Sequence, residues 1–206
     1  MKKALLFILI ATNSLLLAQE KEIKFYDTNE KEITKDEFLK NIDYRENLDL
    51  CFHGDSLISC FLITRKNRGK LSEEHFSELK NTISPNKKLN KDLIVIVYYP
   101  GKDGCHEGER ETTWNMFHSD YQKKLKRIGE YDHFWIYKNN DNLDCFHPDK
   151  VTWQEDKNQL IEKTFFKLPY PYFSAVVFNN KGEYITYFGE FGKTIIWEIA
   201  KELIKN

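Results

Sequence analysis

The sequence predicts an α/β fold, and three observations carry that expectation. Residues 93–99, LIVIVYY, are apolar without interruption and lie between Lys91-Asp92 and Pro100-Gly101. A short unbroken run of this kind is a strand covered on both faces, as in the parallel sheet of an α/β domain. A buried helix would need about ten residues or more, and the proline stops the run too early for that. Second, Trp114, Phe117, Tyr121, Leu125 and Ile128 step by three and four, an amphipathic helical stripe, and a further strand, HFWIY at 133–137, follows it. Strand, helix and strand of these lengths make a βαβ unit with parallel, neighbouring strands. Third, residues 172–178 and 183–188 flank Asn179-Asn180-Lys181-Gly182, which reads as a β-hairpin.

In chain order, Met1-Lys2-Lys3 precedes an apolar run at 4–10, an interruption at Thr12-Asn13-Ser14, and Leu15-Leu16-Leu17-Ala18 before charge returns at Glu20. A basic start, a short apolar centre and a small residue form a secretory signal peptide, 1–18, with cleavage expected after Ala18. Spanning a membrane takes about twenty apolar residues, so no span is expected once this segment is removed. The 188 residues left (206 minus 18) suffice for one main domain and an extension. Loss of Lys2 and Lys3 moves the formal charge from -1 to -3, with both signs interspersed. Neither nucleic acid nor an acidic membrane surface is indicated as a partner.

Residues 19–90 read as an N-terminal α+β extension. Residues 23–27 form a strand, and Thr34-x-x-Glu37 is a capping box opening a short helix. Residues 48–53 and 57–64 form a hairpin around Gly54-Asp55-Ser56. A loop centred on Asp55 and Ser56 sets Cys51 directly opposite Cys60, and a loop centred one residue earlier keeps both on the same face. Asn67-Arg68-Gly69-Lys70 reads as a turn. Ser72 caps a helix with Phe76, Leu79 and Ile83 along one side. The polar linker at 84–90 separates the extension from the main domain, 91–206. There, a helix at 107–128 ends at Gly129, another covers 155–166, and a closing helix covers 193–205.

Four cysteines, Cys51, Cys60, Cys105 and Cys145, suit disulfides in an exported chain. No Cys-x-x-Cys or paired-histidine spacing supports zinc, so no metal and no cofactor are expected.

From Lys91 onward the order β-α-β-α-β-β-α, with proline before the third strand, resembles the thioredoxin-like fold. The resemblance implies a redox cysteine where the first strand's loop meets the next helix, and Cys105 stands there. It also implies a cis-proline facing that cysteine, matched by Pro171 in Tyr170-Pro171-Tyr172. The motif departs from the family. The run is Cys105-His106-Glu107-Gly108, so the second thiol that would resolve a mixed disulfide is absent. A helix N-terminus and His106 favour the Cys105 thiolate, while Glu107, Glu109 and Glu111 oppose it.

Two function classes follow. The favoured expectation is an exported, periplasmic or secreted, non-catalytic binding protein with structural cysteines and a protein partner of unknown kind. The alternative is a thiol-disulfide oxidoreductase in which Cys105 attacks, Cys145 is its distant partner and Pro171 lies opposite. Of the six histidines only His106 has a chemical argument, and no Ser-His-Asp set, phosphate loop or carboxylate pair stands out.

Overall fold

The computed structural model describes residues 21–101, 114–141, 143–146, 149, 151–168, 170 and 172–205, with only the backbone of Cys145 and Phe146. The predicted signal segment, Cys105, the Cys145 side chain and Pro171 lie outside the described residues. Among those described, the chain is a mixed α/β protein with two mixed sheets and five α-helices.

The first sheet has the order β2-β1-β4-β3, from β1 (Glu22–Tyr26), β2 (Glu32–Ile33), β3 (Asn47–His53) and β4 (Leu57–Thr64). Between β2 and β3, α1 (Lys35–Lys40) opens on the predicted capping box. The Thr34 side chain accepts from the Glu37 amide, and Glu37 accepts in return from the Thr34 backbone. Phe38 of α1 packs on Cys60 and Leu62 of β4.

The second sheet has the order β5-β10-β9-β6-β7-β8. Its strands are β5 (Lys66–Lys70), β6 (Leu93–Tyr99), β7 (Tyr131–Tyr137), β8 (Trp153–Glu155), β9 (Ser174–Asn179) and β10 (Glu183–Tyr187). β6 runs parallel to β7 and β7 parallel to β8, while β9 is antiparallel to both β6 and β10. The apolar run is explained by what lies on each side of β6. Leu93, Val95, Val97 and Tyr99 face α3 (Ser119–Ile128) and α5 (Lys193–Lys205). Ile94, Ile96 and Tyr98 face α2 (Glu73–Ile83), α4 (Leu160–Phe165) and Leu48 of the first sheet. Every residue of β6 is buried. The β9–β10 turn is closed by the Asn179 side chain, which accepts from the amides of Lys181 and Glu183, and by Gly182 at φ +78°.

Three local readings change. Asn67 to Lys70 is not a turn: β5 pairs with β10, and its alternating Lys66, Arg68 and Lys70 suit an exposed edge strand. Trp114 and Phe117 do not share one helix with Tyr121. A 3-10 turn, Asn115–Phe117, ends at His118 in extended conformation, and α3 starts only at Ser119. The predicted helix at 155–166 begins later, because Trp153–Glu155 pairs with β7 and the carboxylate of Asp156 accepts from the amides of Ile161 and Glu162. These bonds satisfy donors that a helix start leaves free. β5 and α2, in the stretch read as the extension, belong to the second sheet and its core. No described helix is long and apolar enough to cross a membrane.

Candidate functional site

In open α/β sheets, ligands and reactive groups gather beyond the carboxyl ends of parallel strands. Here that rim is the end of β6 and β7, where Tyr99 pairs with Tyr137. Gly101 follows β6 at φ +116°, and a Cβ built on it would stand 2.8 Å from the Cβ of Asn139, just past β7. Only glycine fits there, on conformation and on space. The Tyr99 hydroxyl donates to the Asp141 carbonyl at 2.7 Å. The exits of the two parallel strands are therefore held against one another.

Over this rim lies a block of aromatic rings. Phe173, just before β9, stacks on Trp114 at 4.3 Å and on Tyr99 at 5.0 Å. Trp135 of β7 stacks on Phe117 at 5.3 Å and meets Trp114 and Trp153 edge-on. Three tryptophans far apart in the chain, Trp114, Trp135 and Trp153, are thus gathered in one place. Ring pairs at these separations add to what area burial alone supplies. The Trp114 indole donates to the Phe191 carbonyl, and Asn115 accepts from the Lys193 amide at 2.9 Å at the start of α5. Asn115 has no sequence signal of its own: its role exists only because the 3-10 turn meets α5.

Deeper on the same face, the Tyr121 hydroxyl and His133 Nε2 share a 2.8 Å hydrogen bond, and the imidazole stacks on Trp135 at 4.8 Å. Burial holds the His133 imidazole at a pKa of about 3, so it is neutral at physiological pH. It is a partly buried polar neighbour of the core, held between Tyr121 and Trp135. Tyr170, beside Pro171, packs on Phe188 at 5.2 Å, and burial followed by the Glu190 charge pushes its phenol up to about 12.

The Cys51–Cys60 pair is bonded. The two residues stand directly opposite in the β3–β4 ladder, with Cα atoms 4.0 Å apart. Gly54 donates to the Leu57 carbonyl, so the hairpin is centred on Asp55 and Ser56, the loop that sets the cysteines face to face. This bond lies in the first sheet, within the described residues, whereas Cys105, the Cys145 side chain and Pro171 lie outside them. Among the described residues no group of three or more His, Cys, Asp or Glu side chains is arranged to hold a metal.

No family model matches this chain, and no curated protein or solved structure matches it either.

Proposed function

We propose that the chain is an exported, thioredoxin-like interaction protein without catalytic thiol chemistry, its cysteines serving as structural bridges. The observation that carries this reading is the ring block at the carboxyl rim. Tyr99, Phe173 and Trp114 stack over the end of β6, where a reacting thiol would need room for a substrate disulfide. The order β6-α3-β7-α4-β9-β10-α5, with β8 added at the edge, supports the thioredoxin-like likeness. The departure from the redox motif, Gly108 where a resolving cysteine would stand, points the same way. Export is supported by the basic and apolar leader and by the Cys51–Cys60 bond.

The oxidoreductase alternative, like the structural bridge, needs the exits of β6 and β7 close together, and they are in contact. Segments that leave from neighbouring points can bring Cys105 toward Cys145 without long reach.

A disulfide map of the mature protein, combined with an insulin-reduction assay of the natural chain and Cys105→Ser, separates the two. The expected result is a second bridge between Cys105 and Cys145 that resists the glutathione couple, with a potential below about -300 mV. Neither protein should then reduce insulin. A free Cys105, or insulin reduction that disappears in Cys105→Ser, overturns the structural reading.

A further inference from the structure

The first sheet carries a surface that the second does not cover. On one face of this sheet, Leu48, Leu50 and Ile63 pack into the shared core. The apolar surface continues outward through Phe61, which stacks on Tyr26 at 4.5 Å and meets Phe52 at 5.9 Å. Leu168, beyond α4, closes the far side. The result is an open groove of about 460 Å³, within the range of ligand-sized clefts. Phe52 is 37% exposed and Leu168 36%, among the few large apolar side chains left in solvent.

The charged side chains lining the groove are Asp27 and Glu30, both acidic; among the described residues no basic one lines it. Asp27 Oδ1 accepts from the amides of Asn29 and Lys31 at 2.8 and 3.0 Å, which fixes the carboxylate at the lip. An apolar floor beside two carboxylates matches an occupant with apolar side chains next to a cation. Because the groove is open and not an enclosed cavity, it suits a chain lying across it better than a small molecule swallowed whole.

We infer that this groove docks an extended peptide segment of a partner protein, apolar side chains on Phe52, Phe61 and Leu168 and a neighbouring Lys or Arg against Asp27 and Glu30. The inference rests on the interaction-protein reading above and names the chemistry of its partner.

The test uses a fluorescein-labelled, end-blocked peptide, Ser-Phe-Lys-Leu-Lys-Ser, and its counterpart with Glu in place of Lys. Fluorescence anisotropy is read on the natural chain, on Cys105→Ser, and on groove variants shown to keep the natural melting temperature. Saturable binding of the lysine peptide is expected, unchanged in Cys105→Ser, and weaker by about tenfold in Phe52→Ala/Leu168→Ala. Asp27→Asn/Glu30→Gln should weaken it about threefold at low salt and flatten its salt dependence. In that variant the side-chain amide oxygen introduced at position 27 can still accept the two backbone bonds, so the turn survives. Equal binding of the glutamate peptide, or no effect of either groove variant, overturns the inference. So does self-association in sedimentation that Phe52→Ala abolishes, because the occupant is then a second copy of this chain. Dithiol activity that depends on Cys105 would instead overturn the non-catalytic reading while leaving the peptide result standing.

Discussion

Arg65 shows how far a residue's surroundings can depart from its sequence context. Thr64-Arg65-Lys66 looks like an exposed basic stretch, yet Arg65 is only 6% exposed. It sits at the junction where the chain passes from β4 to β5, that is, from one sheet to the other. Its guanidinium donates to the carbonyls of Tyr44, Phe188, Gly189 and Glu190, and lies 4.5 Å from the centre of the Tyr187 ring. A planar fork of five donors suits this cluster of carbonyl groups, and a lysine ammonium does not. Arg65→Met should cost about 3–5 kcal/mol, since buried acceptors lose their donors while the side-chain volume is kept. Arg65→Lys should recover less than half of that loss. Urea denaturation of the three proteins measures both. Nothing in the local sequence marks this role, because its partners lie more than 120 positions away for three of the four bonds.

At the scale of elements, local chemistry was legible wherever the signal was itself local. The caps at Thr34 and Ser72 start α1 and α2 where expected, and α5 has the predicted bounds. The hairpin at Gly54-Asp55-Ser56 and the facing of Cys51 and Cys60 also agree with the reading, because strand periodicity and loop centre together set the register. The bond closes a short loop, with a sequence separation of 9. Loop-closure entropy then gives a loss of roughly 2–3 kcal/mol for Cys51→Ser/Cys60→Ser. The ladder should persist, since seven residue pairs hold it. Thermal unfolding with and without reductant checks this: reductant should lower the melting temperature of the natural protein toward that of the variant. By contrast, β5, β8 and the break before α3 were not legible. β5 and β8 are short edge strands that exist because β10 and β7 offer free edges. The break at His118 allows Asn115 to meet the start of α5.

For the whole molecule, the partly buried His133 ties stability to pH. Its folded pKa of about 3 lies below the ordinary 6.5, so as pH falls the unfolded chain takes up the proton first. This group's contribution is constant above about pH 7. It turns against the fold between pH 6.5 and 3, with a slope of up to about 1.4 kcal/mol per pH unit. Denaturation of the natural protein and His133→Gln at about pH 7 and about pH 5 is the check. The natural protein should lose more stability on acidification than the variant. Equal losses would mean that the imidazole is solvated and free to protonate in the folded state.

The sequence by itself determined the α/β class, the doubly covered strand β6, the two caps, both hairpins and the facing of Cys51 and Cys60, while the bond between them comes from the structure. Each of these follows from residues close together in the chain, or from a periodicity that any strand or helix must obey. Tertiary structure alone decided the junction clamped by Arg65, the edge strands, the neutral histidine stacked on Trp135, the ring block at the rim of β6 and the acidic, apolar groove beside Phe52. These depend on which distant segments meet, and a single sequence carries no record of a contact between residues that its local patterns do not bring together.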